Sequence, residues 1–239
     1  MAPPSVGPLV HSQMSLNYPD FVRKVTRFLN LCENDSGSPD TDYRTIYRYK
    51  DGNDKRRQIT LGRGFTEDGG SLRKVVARYV QKGGKSKVLA NNLEKIGKGV
   101  LVTNTEFITA LRDASAEQEM KDAQDEIFRE VYLDPAVDWA TRQGFTEPTS
   151  IAVVVDSYLH SGQMTPKLVQ SFAEHTPKNG GSEHKWMQSY CEARLAWFTR
   201  VTTILHTCMF RPRFFLGLMN AGNWSFDCPL KVPEKGSIC

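Results

Sequence analysis

The sequence predicts a mainly α-helical (α+β) protein with one small β-hairpin. Two observations carry this prediction. Apolar residues recur at helical spacing over most of the chain beyond residue 71, whereas residues 43–65 alternate in strand fashion around a cluster of turn residues. The chain has 239 residues, of which 39% are hydrophobic and 24% are charged. It is therefore long enough for one sizeable core, or for two lobes with a cleft between them.

The first predicted helix begins at Pro19 and ends at Glu33, because proline suits a first helical turn and residues 34–39 break the pattern. Its apolar residues recur at helical spacing: Phe21, Val25, Phe28, Leu29 and Cys32. Glu33 is therefore predicted to lie at the C-terminal end of this helix. The partial negative charge of a helix C-terminus favours the protonated form of a carboxyl group, which is the form that a general acid needs.

The predicted hairpin follows this helix. Residues 43–49 alternate as a strand does, Asp51-Gly52-Asn53-Asp54 supplies turn residues, and residues 58–65 form the predicted return strand. The hairpin thus places two acids, Asp51 and Asp54, in its turn and Thr60 in its return strand.

The remainder of the chain is predicted to be mostly helical. The predicted helices cover residues 71–81, 87–96, 106–112, 116–132, 137–143, 149–160, 166–174 and 182–206. The stretch after Asn220 is predicted to be irregular and packed down by Trp224, Phe226 and Leu230. Residues 1–16 carry prolines without an apolar pattern and are predicted to be a flexible arm, followed by one domain over residues 17–239.

Composition and patterning exclude several classes of protein. No apolar run approaches the roughly 18 residues of a membrane span, so membrane insertion is not expected. A net charge of +4 with scattered basic residues does not suggest nucleic-acid binding. The five histidines show no metal-ligand spacing, so no metal is expected, and the five widely spaced cysteines are predicted to be mostly buried free thiols.

Several motifs resemble those of the family 46 glycoside hydrolases, the chitosanases, and more distantly the phage-type lysozymes. Cys32-Glu33-Asn34-Asp35-Ser36 is similar to the family's Glu-Asn-Ser segment, and Tyr132-Leu133-Asp134-Pro135-Ala136 is similar to the Tyr-Phe-Asp-Pro-Ala end of its central helix. Tyr49-Lys50-Asp51 and Thr60-Leu61-Gly62-Arg63-Gly64 resemble the lysozyme hairpin. The likeness runs from about Pro19 to Val232. It implies a lysozyme-like, two-lobed helical fold with a small sheet beside the active-site cleft, and it makes residues 17–239 a catalytic domain.

The resemblance also implies roles for individual residues. Glu33 is expected to be the general acid and Asp51 the general base, with the Thr60 hydroxyl holding the attacking water. Tyr47 and Arg63 are expected to contact the substrate. A further set is expected to form a buried structural network rather than to take part in catalysis: Asp156, Arg194 and Arg213.

One departure from the family pattern leaves the second carboxylate open. Chitosanases carry Asp-Gly-Arg-Gly-Tyr-Thr at the hairpin, whereas here a basic turn, Lys55-Arg56-Arg57, separates Asp51-Gly52 from Thr60. A rival register places Leu61 where the family has its aspartate. Three other acids then become candidates for the second carboxylate: Asp54, Glu67 and Asp68.

The resemblance implies endo-hydrolysis of β-1,4 bonds in an amino-sugar polymer, with inversion. We expect the protein to be a monomer that needs no cofactor. The family resemblance favours chitosan as the substrate, while the slightly basic charge fits anionic peptidoglycan, as in a lysozyme-type effector or a phage-tail enzyme. The alternative is that the protein is not an enzyme but a non-catalytic glycan-binding module. We expect the protein to act outside the cell or at the cell wall or periplasm, although the N-terminal residues lack the pattern of a classical signal peptide.

Overall fold

The computed structural model describes residues 18–33, 43–50, 56–201 and 204–239. These residues form a mainly α fold with a small antiparallel sheet, which confirms the predicted fold class. The chain divides into two compact units, one containing residues 41–131 and the other containing residues up to 40 together with residues 132–239. No helix among the described residues is both long enough and apolar enough to cross a membrane.

The unit formed by residues 41–131 begins with a three-stranded antiparallel sheet in the order β1-β2-β3. Its strands are β1 (Ile46–Tyr47), β2 (Thr60–Leu61) and β3 (Phe65–Thr66), and its helices are α2 (Ser71–Gln81), α3 (Lys87–Asn92), α4 (Thr105–Ala114) and α5 (Gln118–Phe128). The prediction of one return strand over residues 58–65 was therefore wrong. Residues 60–61 form β2, and residue 65 begins the separate strand β3. The two strands are separated at residues 62–64, where Gly62 and Gly64 take positive φ angles of 52° and 96°, which glycine adopts without steric cost.

The second unit contains the first helix and the C-terminal half of the chain. Its elements are α1 (Tyr18–Glu33), α6 (Asp134–Arg142), α7 (Pro148–Ser161), α8 (Pro166–Val169), α9 (Glu183–Arg200), α10 (Phe210–Asn220), β4 (Lys231–Val232) and β5 (Gly236–Ser237). Helix α7 lies at the centre and packs against α1, α6, α9 and α10. Every α7 residue from Thr149 to Ser157 is buried, so this helix has no solvent face over these nine residues.

Several predicted boundaries differ from those observed. The predicted helix 116–132 ends as a regular helix at Phe128 and continues as a π-helical turn at Arg129–Leu133. The helix predicted over 166–174 shortens to the four residues of α8, and helix α10 was missed. The prediction of free thiols was wrong for Cys228 and Cys239, which form a disulfide bond, whereas Cys32, Cys191 and Cys208 are free.

Candidate active site

Glu33 is the last residue of α1, as the sequence predicts, and its side chain is 24% exposed. The guanidinium of Arg211, on α10, donates a hydrogen bond from Nη2 to Oε1 of Glu33. The arginine itself is buried, with a side chain that is 2% exposed. The carboxyl group is thus open to solvent on one side and fixed by a buried cation on the other.

Arg211 belongs to a chain of alternating charges that joins four helices. Its Nη1 donates to Oδ1 of Asp156 at 2.6 Å, and Arg194 Nη1 donates to Oδ2 of the same carboxylate at 2.5 Å. The side chains of Asp156, Arg194 and Arg211 are 0–2% exposed. Because buried charges are stable only when paired, this arrangement fixes the positions of α1, α7, α9 and α10 around Glu33.

The ionisation of these groups follows from their surroundings. Burial by itself would raise the pKa of Asp156, but Arg194 and Arg211 outweigh it and hold that pKa below its usual value. His160, on the same helix as Asp156, lies close to this network. Burial, together with Arg211 and Arg194, lowers the pKa of His160 to about 2, so its imidazole stays neutral at ordinary pH.

The sequence prediction named Arg213 as the second arginine of this network, and the structure shows Arg211 in that place. Arg213 is exposed. The helical period explains the difference, since Arg211 lies three residues before Phe214 and four before Phe215, both buried, and so shares their face of α10. Arg213 lies one residue from Phe214 and points away from that face. Helical spacing could have identified Arg211 had α10 been recognised.

The small sheet of the other unit has two different faces. Tyr47 pairs with Thr60, and Thr60 pairs with Thr66, so these three side chains share one face and are each half-buried. The opposite face carries Ile46, Leu61 and Phe65, of which the last two are fully buried. The structure therefore brings together two of the predicted site residues, Tyr47 and Thr60, as direct cross-strand neighbours.

Arg63 does not lie where a substrate-contacting arginine was expected. Its side chain is 2% exposed and its guanidinium is paired with Asp125 of α5. The guanidinium carbon also lies 4.7 Å from the ring centroid of Phe128, and the Tyr43 hydroxyl donates to the second oxygen of Asp125 at 2.9 Å. The tight turn at residues 62–64 directs the side chain inward. Arg63 thus fastens that turn to α5, and Asp125, which the sequence reasoning missed, is its partner.

Two of the alternative second carboxylates have structural partners. Glu67 is 2% exposed, and its carboxylate accepts hydrogen bonds from the backbone N–H groups of Ile59 at 2.9 Å and Gly97 at 3.3 Å. The Asp68 side chain is 8% exposed and is paired with Arg56. Both acids therefore hold this unit together. The other two predicted acids, Asp51 and Asp54, lie outside the described residues.

Among the described residues, no group of histidine, cysteine, aspartate and glutamate side chains has the arrangement of a metal site. One unit offers the chemistry of the Glu33 carboxyl group, and the other unit offers a hydroxyl-bearing sheet face at Thr60. Hydrolysis of a glycosidic bond needs two carboxyl groups, one protonated and one ionised.

The comparisons with known proteins agree with this assignment of the fold. Residues 28–230 match the sequence profile of glycosyl hydrolase family 46. The chain therefore belongs to this family. A chitosanase of Bacillus subtilis (strain 168) is 25% identical over 189 residues, which cover 73% of this chain and 66% of that protein. The match thus spans just under two thirds of the curated relative.

Solved chitosanase structures share the fold. The native chitosanase of Bacillus subtilis MY002 superposes with a TM-score of 0.80 at 21% identity, covering 93% of this chain and 98% of that one. The chitosanase of Gynuella sunshinyii in complex with chitotetraose gives a TM-score of 0.74 at 18% identity, covering 91% of this chain and 94% of that one. At these identities the likeness establishes the architecture of the chain.

Proposed function

We propose that this protein is an endo-acting glycoside hydrolase that cleaves the β-1,4 bonds of chitosan by a single-displacement, inverting mechanism. The observation that carries the proposal is Glu33, a solvent-accessible carboxyl group held by the buried Arg211–Asp156–Arg194 chain in a member of family 46. Two of the related solved structures, named as complexes with 6 GlcN and with chitotetraose, support the choice of substrate.

Glu33 is the proposed general acid. Arg211 holds Oε1, which leaves Oε2 to carry the proton and deliver it to the glycosidic oxygen as the bond breaks. The buried ion pairs behind Arg211 limit its movement, so the carboxyl group keeps one orientation through the reaction. Such fixed orientation contributes to rate because the reacting groups need no further ordering.

Asp51 is the proposed general base, and the Thr60 hydroxyl is proposed to hold the water that attacks the anomeric carbon. Glu67 and Asp68 are weaker candidates, because Glu67 is buried against two backbone N–H groups and Asp68 is paired with Arg56. An inverting mechanism requires about 6.5–9.5 Å between the acid and the base, which leaves room for the water. Tyr47, next to Thr60 in the sheet, is proposed to contact the sugar beside that water.

The charges near β2 oppose the binding of chitosan less than the sequence alone suggested. The basic turn at residues 55–57 was the reason to consider an anionic polymer, but Arg56 is paired with Asp68 and also donates to the Gly97 carbonyl at 3.0 Å. Part of that positive charge is therefore neutralised within the protein. A polycation such as chitosan meets less repulsion than the sequence alone suggested.

The test is the release of reducing ends from soluble chitosan and from purified peptidoglycan under identical conditions. We expect release from chitosan by the wild type, and a loss of at least about 100-fold in kcat for Glu33→Gln and for Asp51→Asn. Asp54→Asn is the matched control for Asp51→Asn and should stay close to the wild type. Early products should have the α configuration by NMR, as inversion of a β bond requires.

Other outcomes redirect the proposal in defined ways. Release from peptidoglycan alone would make the protein a lysozyme-type enzyme. Full activity of Asp51→Asn with loss of activity in Asp54→Asn would move the base to Asp54. If the wild type binds chitosan but releases reducing ends from neither polymer, the protein is a glycan-binding module.

A further inference from the structure

The C-terminal residues 226–239, here named the C-terminal strap, are closed on themselves by the Cys228–Cys239 disulfide. Strands β4 and β5 pair within the strap, and the Ile238 N–H donates to the Leu230 carbonyl at 2.9 Å. Four apolar side chains of the strap are buried at 0–3% exposure: Phe226, Leu230, Val232 and Ile238. The strap is thus a packed element of its unit rather than a loose end.

One side of the strap lies along α1, the helix that ends in Glu33. Its contacts fall at α1 positions three residues apart, which places them on one face of the helix. The Phe226 ring meets Phe21 edge-on at 6.2 Å, Asp227 lies 3.5 Å from the Lys24 ammonium, and Arg27 Nε donates to the Ile238 carbonyl at 2.7 Å. The last of these contacts is six residues before Glu33.

The strap also contacts α10, the helix that carries Arg211. The Phe226 ring lies edge-on to Phe214 at 6.3 Å, and the Lys235 ammonium lies 5.2 Å from the ring centroid of Phe210. Phe210 and Phe214 flank Arg211 along the helix. The strap therefore touches both helices whose side chains meet in the Glu33–Arg211 contact.

Cys228 and Cys239, which close the strap, are both exposed residues. A thiolate can therefore reach the disulfide from solvent, and exposed disulfides are the more readily exchanged ones. A dithiol reductant supplies the two electrons. One of its thiolates attacks a sulfur to give a mixed disulfide, its second thiolate displaces the protein sulfur, and the products are two protein thiols and the oxidised, cyclic reductant.

We propose that the C-terminal strap is a positioning element for the Glu33–Arg211 contact, and that its exposed Cys228–Cys239 disulfide makes this positioning depend on the redox state of the surroundings. Opening the disulfide removes the link between Cys228 and Cys239 and loosens the Ile238 carbonyl from Arg27. Helix α1 then loses its hydrogen bond to the strap at Arg27, six residues before Glu33. As far as it concerns catalysis, the inference rests on Glu33 being the general acid.

The first readout needs no catalysis. Hydrogen exchange of the α1 peptide spanning residues 28–33 is compared before and after treatment with dithiothreitol. We expect faster exchange after reduction in the wild type, and no change on treatment of the Cys228→Ser/Cys239→Ser double variant, in which exchange is already fast. Equal exchange in the oxidised and reduced wild type would overturn the proposal whatever the substrate is.

The second readout is steady-state hydrolysis of chitosan with its pH profile. Reduction should lower kcat by about tenfold to a hundredfold, because small displacements of a catalytic group are costly, while KM stays within about twofold. The pH limb of kcat that reports the acid should shift, and reoxidation should restore both quantities. Arg27→Met, which keeps the disulfide, should reproduce part of the effect if the double variant does not fold.

Circular dichroism on the same samples separates positioning from global unfolding. If reduction abolishes the helical signal at the assay temperature, the disulfide is a structural staple and the proposal is overturned. Unchanged kcat and an unchanged pH profile after reduction overturn it as well. If the oxidised wild type releases no product from chitosan, the proposed function fails, and the exchange measurement still decides whether the strap supports the end of α1.

Discussion

Replacing Asp156 with asparagine removes the negative charge that Arg194 and Arg211 share. The side chains of all three residues are 0–2% exposed, so water cannot take the place of the lost charge. Breaking a buried ion pair in this way costs about 3–5 kcal/mol, because an uncompensated buried cation remains. Asparagine has nearly the same shape as aspartate, so the loss of stability is caused by the lost charge and not by a change in packing.

This cost is large relative to the stability of the protein. Folded domains are stable by about 5–15 kcal/mol, so about a fifth or more of the total is at risk. A protein of this size loses roughly 2–4 °C in Tm for each kcal/mol, so we expect Asp156→Asn to lower Tm by about 10 °C. Urea unfolding followed by circular dichroism measures the free energy directly.

Asp20→Asn is the matched control within the same unit. Asp20 also faces two cations, Arg23 at 2.7 Å and Lys24 at 2.8 Å, but its side chain is 34% exposed. Exposed pairs contribute about 0–1 kcal/mol, so this variant should unfold close to the wild type. If both substitutions cost less than about 1 kcal/mol, burial does not govern the strength of the Asp156 network and the reasoning fails.

Three further outcomes are expected. Thr60→Val should lower the kcat for chitosan about 10- to 100-fold with little change in KM, because only the hydroxyl is lost. The control Thr66→Val should keep its kcat within about threefold of the wild type. Equal losses of kcat in the two variants would show that Thr60 does not hold the water. Glu67→Gln should lower the free energy of unfolding by about 1–3 kcal/mol, because the amide presents a donor to the two backbone N–H groups. A collapse of kcat instead would identify Glu67 as the second carboxylate. Burial, aided by two arginines, lowers the pKa of His160 to about 2, far below its unfolded value. Below about pH 6 the imidazole is therefore protonated in the unfolded state and neutral in the native state. The free energy of unfolding should fall by about 1.4 kcal/mol for each pH unit below about pH 6. Urea titrations at several pH values should show a flatter dependence for His160→Gln.

The periodicity of apolar residues in the sequence predicted those helices that bury one face and expose the other. Helix α1 buries Phe21, Val25, Phe28 and Leu29 on one stripe, and this stripe is visible in the sequence. Helix α10 was missed because its buried face carries Arg211 and Pro212 beside the phenylalanines, so this face does not stand out as apolar in the sequence. Pro212 also stands in the first turn, where proline is tolerated but is easily mistaken for a helix break.

The candidate site was predictable only in part for a related reason. Glu33 stands at a helix end that the pattern of α1 sets, so its place could be predicted. Its partner Arg211 is far away along the chain, and that pairing depends on tertiary packing. The same holds for Arg63, whose burial depends on Asp125, and for the disulfide between two exposed cysteines eleven residues apart. Sequence spacing alone does not specify such tertiary pairs.

Thr60 is held in register from both sides, by Tyr47 on β1 and by Thr66 on β3. The opposite face of the sheet is buried at Leu61 and Phe65, and a buried face specifies the strand register. Thr60 therefore keeps its own face of the sheet when the connection at residues 48–59 varies. Evolution can therefore lengthen, shorten or recharge that connection without turning the Thr60 hydroxyl away. Sequence changes in this connection can then alter which polymers the protein prefers, while the sheet stays unchanged.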